Sequence, residues 1–188
     1  MSRPLQVRPL RTESFSDTTK PARLHNTDAV RTAALFTGVL FSGLFAGFLT
    51  AVLVLEASLR SFPATVYTQV RIVELVHLDD LATVLLPAAL LATAIVALLT
   101  VTRPARTRWL VLTALGLLLA TFIISALISV PINTDQQDWS VLAPPSDWAA
   151  VRDRWQLAHV ARTSTAAVAF SALAAAAIIR RPPAGRPQ

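Results

Sequence analysis

Long apolar runs separated by short polar segments dominate the hydrophobic pattern of this chain. The runs cover about residues 32–56, 81–101, 109–130 and 155–179. Each is long enough to cross the hydrocarbon core of a bilayer as an α-helix, and residues 109–130 contain no charge at all. The pattern predicts an all-α fold, an integral membrane four-helix bundle that occupies residues 32–180.

Prolines and polar residues indicate where these helices begin and end. Pro63 is well placed in the first turn of the second helix. Pro131 is expected to end the third helix, so that residues 131–148 form a loop. The fourth helix is expected to begin near Trp148 and to end at about Ile179, where arginines and prolines follow.

Basic residues are distributed unevenly between the two ends of the predicted spans. Residues 1–31 hold six Lys or Arg, the turn at 103–108 holds three, and the segment 180–188 holds three, against four in the other two loops and their flanks. Lys and Arg are retained on the cytoplasmic side of short loops. We therefore predict an N-in/C-in protein of the cell (plasma) membrane, with residues 1–31 and 181–188 as basic, disordered cytoplasmic tails.

Composition agrees with a lipid environment and excludes several classes of protein. Hydrophobic residues make up 54% of the chain and charged residues 15%, with a mean hydropathy of +0.55. The absence of cysteine excludes disulfides and thiolate sites. The net charge of +6 lies in arginines that flank apolar runs, which indicates the lipid bilayer as partner and not nucleic acid. Nothing in the pattern indicates an oligomeric state.

Polar residues from all four helices are predicted to lie together at the outer end of the bundle. On the fourth helix, Trp155, His159 and Arg162 share one face, because their spacing follows the helical repeat. Arg162 precedes a further apolar stretch, and a charge at that depth requires a partner. Glu56 or Glu74 is the expected partner.

These residues allow both functional and structural interpretations. Glu74 and His77 form a Glu-x-x-His pair, which with Glu56 and His159 could hold iron or manganese; alternatively, they are solvated residues at helix ends. His159 is either a general base or a helix histidine with satisfied hydrogen bonds. Asn133 could be only a turn residue. The tryptophans at 139, 148 and 155 are either ligand contacts or interfacial anchors.

Several short motifs carry a resemblance to a known family. They are Pro131-Ile132-Asn133, Trp139, Pro144-Pro145 with Trp148, Arg154-Trp155 with His159, and Arg162-Thr163. Over roughly residues 30–180, the sequence resembles the anthrone oxygenase-like family of small four-helix membrane proteins. A few fungal members of that family oxidise anthrones to anthraquinones with molecular oxygen and no evident added cofactor, whereas most bacterial members have no assigned function.

The resemblance implies a site and a reaction. It implies His159, Arg162 and Asn133 as catalytic residues, with Trp155 and Trp148 as substrate-binding residues, and a small hydrophobic aromatic substrate. His159 would remove a proton next to a ketone, and Arg162 with Asn133 would stabilise the enolate oxygen. No cofactor is expected from the resemblance, and a divalent metal is the alternative. The competing hypothesis is a non-catalytic membrane protein in which the polar cluster only holds the helices together.

Overall fold

The computed structural model describes residues 19–179, with side chains described from Asp28 onward. It contains α1 (Thr19–Ser58), a 3₁₀ turn (Leu59–Ser61), α2 (Ala64–His77), α3 (Asp79–Leu99), α4 (Ala105–Ile124), a π-helical turn (Ser125–Ser129), α5 (Val130–Gln137) and α6 (Trp148–Ile179). No strand occurs in this part of the chain. The predicted tails at 1–18 and 181–188 lie outside the described residues.

Four helical stretches are long and apolar enough to cross a membrane, which confirms the predicted membrane bundle. They are Asp28–Ser61, Asp79–Leu99, Ala105–Gln137 and Trp148–Ile179. In cross-section α1 and α4 each pack against both α3 and α6, so the four stretches form a closed ring around one core. Large apolar side chains such as Phe36, Leu98 and Ile178 point outward, as expected for helices that face lipid. The N-in/C-in orientation stays a prediction.

Small residues allow the helices of this ring to approach closely. Ala166, Ala169 and Ala176 of α6 are fully buried in the core. A Cβ atom at Gly43 of α1 would lie 2.9 Å from the ring of Phe170, so a larger residue there would force a shift at this contact between α1 and α6. Close approach of small residues is the usual basis of helix association in membranes.

The first helix begins earlier than the sequence pattern indicates. Residues 19–31, which we predicted as part of a disordered tail, are helical in the structure. Pro21 does not prevent this, because it lies in the first turn of α1, where its missing N–H has no helical partner in any case.

The second predicted helix is divided into two at Leu78. The N–H of Leu78 bonds to the carbonyl of Glu74 and ends α2, and a new helix starts at Asp79. Asp79 and Asp80 favour such a start, because negative side chains are stabilised at a helix N-terminus. The division leaves α2 outside the spanning stretches, packed against α3 and α5.

The expected end of the third helix at Pro131 is wrong, and so is the loop predicted directly after it. The helix continues through Pro131 to Gln137 as α5. The π-helical turn at Ser125–Ser129 ends two residues before the proline. A wider turn relieves the clash between a proline ring and the carbonyl one turn back. As a result Asn133 is a helical residue and not a turn residue.

Candidate functional site

Arg71 of α2 lies at the centre of the polar cluster and is almost fully buried. It donates from Nε to Gln136 Oε1 over 2.8 Å, from Nη1 to Glu74 Oε2 over 2.8 Å, and from Nη2 to Asn133 Oδ1 over 2.6 Å. Its guanidinium carbon also lies 3.9 Å from the ring centroid of Trp155, a cation–π contact. Arg71 therefore connects α2 to both α5 and α6.

Two buried carboxylates, Glu56 and Glu74, share the positive charge of Arg71. Glu56 Oε1 lies 3.5 Å from Arg71 Nη1, and Glu56 Oε2 accepts from Gln156 over 3.0 Å. Within the residues whose side chains are described, Oε1 of each glutamate is buried without a hydrogen-bond partner. Burial, followed by the charge of Glu56, raises the pKa of Glu74 to about 7. Glu74 can therefore gain or lose a proton near neutral pH.

These contacts correct the predicted partner of Arg162. Both Glu56 and Glu74 pair with Arg71, and within residues 28–179 no carboxylate lies within ion-pair distance of Arg162. The sequence did not single out Arg71, because an arginine in a polar stretch before a span is typical of a solvated loop. Its burial follows from the packing of α2 against α5, which hydropathy does not reveal.

Asn133 connects this network to a second carboxylate site. Its Oδ1 accepts from both Arg71 and Trp155 Nε1, the latter over 2.7 Å. Its Nδ2 donates to the two carboxylate oxygens of Asp79 over 3.1 and 3.2 Å. Because the oxygen faces two donors, Arg71 and Trp155, and the nitrogen faces the acceptor carboxylate of Asp79, the orientation of the amide is fixed. Asp79, which sequence reasoning missed as a site residue, is thereby held at the start of α3.

His159 and Arg162 form a second hydrogen-bonded unit on α6. Arg162 donates from Nε to Nδ1 of His159 over 3.0 Å, and Nε2 of the fully buried imidazole lies 2.9 Å from the carbonyl oxygen of Leu49. Because Nδ1 accepts, the ring proton is on Nε2 and points to Leu49. Trp155 stacks on the imidazole with centroids 4.7 Å apart. Both ring nitrogens of His159 are therefore engaged.

A cavity of about 190 Å³ lies between α3 and the third spanning stretch, beside this unit. Its polar end is formed by Asp79, Asn133 and Arg162. The other lining residues are mostly apolar, including Phe45, Leu86, Pro87, Phe122 and Val130. Pro87, Phe122 and Val130 are also exposed on the outside of the bundle, so the cavity opens laterally between helices.

Arg162 has donors that the described part of the protein does not use. Its side chain is 9% exposed, and Nε to His159 is its one hydrogen bond within residues 28–179. The two Nη atoms are left available where Arg162 borders the cavity. A buried guanidinium with unused donors is suited to bind a negatively charged oxygen.

Comparison with protein families agrees with the resemblance seen in the sequence. A family model described as anthrone oxygenase matches residues 77–172. The chain belongs to the anthrone oxygenase family. Asp79, Asn133, Trp155, His159 and Arg162 all lie within the matched region of this anthrone oxygenase family member. A search of curated proteins and a search of solved structures each gave no match.

The structure does not bring the predicted metal-binding residues of this family member together. His77 is exposed, whereas Glu74 on the same helix is buried against Arg71. Between Asp28 and Ile179, no group of three or more His, Asp or Glu side chains is arranged to hold a metal ion. Glu56 and Glu74 lie 3.5 and 2.8 Å from Nη1 of Arg71, and this positive charge disfavours a cation beside them.

Trp155 and Trp148, the two tryptophans predicted to bind substrate, lie in different surroundings. Trp155 is 1% exposed and lies against His159 and Arg71, behind the residues that line the cavity. Trp148 packs on Tyr67, with ring centroids 5.6 Å apart, and under Arg152 at 4.9 Å. Neither tryptophan lines the 190 Å³ cavity. Trp155 instead supports the residues that do.

Proposed function

We propose that this member of the anthrone oxygenase family oxidises a flat, enolisable aromatic ketone with molecular oxygen in the cavity bordered by Asp79, Asn133 and Arg162. One observation carries the proposal. The buried guanidinium of Arg162, with two unused nitrogen donors, and the carboxylate of Asp79 border the same mostly apolar cavity. A guanidinium can stabilise negative charge on the ketone oxygen of a substrate, and a carboxylate can remove the proton of its acidic C–H bond.

The proposed reaction converts a methylene group next to an aromatic ring into a carbonyl group. A base takes one proton from the methylene carbon, and the electron pair of that C–H bond forms an enolate. The enolate is oxidised by O₂, and a C–O bond forms to give a hydroperoxide. Loss of the second methylene proton with cleavage of the O–O bond then yields the quinone and water. The oxygen molecule supplies both the oxidant and the new carbonyl oxygen.

Asp79 is the proposed base. Its carboxylate borders the cavity and is held by the amide of Asn133 through both oxygens. His159, the base that the sequence favoured, is fully buried, and both of its ring nitrogens are engaged. In this proposal His159 positions Arg162, Asn133 positions Asp79, and Arg162 stabilises the enolate oxygen.

The lateral opening suits a substrate that partitions into lipid. Pro87, Phe122 and Val130 at its edge are exposed on the apolar outside of the bundle. A planar aromatic molecule can therefore reach the polar end without crossing water. The cavity is smaller than a typical binding site for a ligand of several rings, so part of the substrate remains between the helices and the acyl chains.

The test compares two variants, Asp79→Asn and Asp80→Asn. Asp80 is the neighbouring carboxylate and is exposed. Purified proteins are incubated aerobically with emodin anthrone, and quinone absorbance and oxygen uptake are followed above the spontaneous rate. Asp79→Asn can still accept from Asn133 but has lost the base, so its rate should fall by about 100-fold or more. Asp80→Asn should keep the wild-type rate. Equal rates for Asp79→Asn and wild type would remove Asp79 from the mechanism.

A non-catalytic membrane protein is the second candidate function, and the Arg71 network favours it. Arg71 bonds to residues of α2 and α5 and contacts α1 and α6, as a group that holds helices together would. Absence of turnover by wild type on a panel of anthrones, with a strong loss of stability in Arg71 variants, would favour this function over the oxygenase.

A further inference from the structure

A second cavity, of about 360 Å³, lies at the opposite end of the bundle and is strongly basic. It is lined by Arg31 of α1, Arg103 and Pro104 of the turn before α4, Arg106 and Thr107 of α4, and Ile179 of α6. Asp28 is the carboxylate beside it, 2.7 Å from Arg103 and 3.3 Å from Arg31. Among residues 28–179, three arginines against one aspartate leave a net positive charge around the cavity.

One buried donor at this cavity lacks a partner within the described part of the chain. Nε of Arg31 is buried without a hydrogen bond. Thr107, which lines the same cavity, is 5% exposed. Buried polar groups are nearly always hydrogen-bonded, so a donor without a partner indicates a ligand or a water molecule. Both side chains can donate to an anion.

The start of α4 adds a further preference for negative charge. Pro104, at the N-cap position, gives no side-chain cap, and the first turn contains no acidic residue. The first N–H groups of a helix have no partner within the helix and favour anions. Arg106 and Thr107, which line the cavity, belong to this first turn.

We propose that this cavity binds the phosphate of an anionic phospholipid headgroup, with Arg31, Arg103 and Arg106 as the charged ligands and Thr107 as a neutral donor. Basic pockets between spanning helices near a membrane surface are suited to such headgroups. At the same end of the bundle Leu98, Val101 and Ile178 are more than half exposed, which provides an apolar surface for the acyl chains. This site lies apart from the proposed reaction site and does not depend on the proposed function.

The test measures lipid retained by the detergent-purified full chain in native mass spectrometry. Dioleoyl phosphatidylglycerol is added in one series and dioleoyl phosphatidylcholine in another, at equal molar excess. The anionic lipid should be retained and the zwitterionic lipid should not. Arg106→Gln should lower retention of the anionic lipid about fivefold, the usual effect of one arginine near an anionic lipid surface. Thr107→Val should lower it without any change in net charge.

Arg108→Gln is the matched control, because Arg108 lies in the same turn of α4 but does not line the cavity. It should leave retention unchanged. Equal losses in Arg106→Gln and Arg108→Gln, or equal retention of both lipids, would overturn the proposal in favour of diffuse surface charge. Displacement of the lipid by inorganic phosphate at the same molar excess would overturn the assignment of a lipid and indicate a soluble phosphate. Helix content and a single symmetric elution peak show that each variant is folded.

Discussion

Arg162 donates a hydrogen bond from Nε to Nδ1 of His159 over 3.0 Å, one turn apart on α6. The opposite ring nitrogen of His159 is fixed by the carbonyl of Leu49 on α1. The imidazole therefore links two spanning helices and holds one edge of the guanidinium, while the other two nitrogens of Arg162 are left at the cavity. This geometry favours a role for His159 in positioning Arg162 over a role as the catalytic base.

The first prediction tests that distinction with His159→Gln and His159→Leu. A glutamine amide has one acceptor and one donor group, so it can replace both hydrogen bonds of the imidazole, whereas leucine can replace neither. If His159 positions Arg162, His159→Gln should keep kcat/KM for emodin anthrone within about tenfold of wild type, and His159→Leu should lose more. Loss of about 100-fold or more in both variants, with Asp79→Asn still active, would identify His159 as the base instead.

The second prediction concerns stability and contrasts two arginines. Arg71→Gln leaves Glu56 and Glu74 buried without their cation, and such a loss costs about 3–5 kcal/mol. Arg60, paired with Asp153, is 53% exposed, so Arg60→Gln should cost at most about 1 kcal/mol. Thermal unfolding in detergent should show a large fall in Tm for Arg71→Gln and little change for Arg60→Gln. Similar melting temperatures for the two variants would contradict the central role of Arg71.

Run length and hydropathy were sufficient to predict the four spanning helices, because the cost of burying polar groups in lipid restricts where charges occur. They were not sufficient for the helix boundaries near Pro131. There the outcome depends on the π-helical turn at Ser125–Ser129, a local adjustment that no hydropathy pattern encodes.

The candidate site could be predicted only in part. Asn133, His159 and Arg162 were found from their motif and spacing, and the structure places all three at one end of the bundle. Arg71 and Asp79 were missed, since each lies in a polar stretch where a solvated residue is the ordinary interpretation. Their positions are decided by the separate helix α2 and by the new helix start at Asp79, which are features of tertiary packing.

The third prediction follows from Glu74, whose helix lies outside the spanning stretches. Burial and the charge of Glu56 raise its pKa from 4.5 to about 7. Between pH 4.5 and pH 7 the folded protein binds more protons at Glu74 than the unfolded chain does. Glu74 therefore stabilises the fold most below about pH 4.5. This contribution is lost as the pH rises through about 7. Glu74→Gln resembles the protonated form. Its Tm should be close to that of wild type at pH 5 and higher than that of wild type at pH 8.

Asp80→Asn provides the control for Glu74→Gln, because Asp80 is an exposed carboxylate at the start of α3. Its melting temperature should follow the wild-type pH dependence across the same range. A Glu74→Gln protein that keeps the full wild-type dependence between pH 5 and pH 8 would show that another group titrates there.

The fourth prediction decides which depression on the bundle surface receives substrate. A larger one, of about 580 Å³, lies between the third spanning stretch and α6, but Arg154 is the one charged residue that lines it in the described part of the chain. The smaller cavity, of about 190 Å³, has Asp79, Asn133 and Arg162 together at one end. Specific sites need a few converging polar groups more than they need volume, so we expect the reaction in the smaller cavity.

Ala126 and Ala161 offer a matched pair of substitutions for this test. Both are exposed alanines on spanning stretches, and Ala126 lines the smaller cavity while Ala161 lines the larger depression. Because both face outward, leucine at either position should leave the Tm unchanged. Ala126→Leu narrows the space for a planar substrate and should lower kcat/KM for emodin anthrone by about tenfold or more, mainly through KM. Ala161→Leu should have the wild-type kcat/KM. The reverse result would move the reaction site to the surface beside Arg154 and leave Asp79 without contact to the substrate.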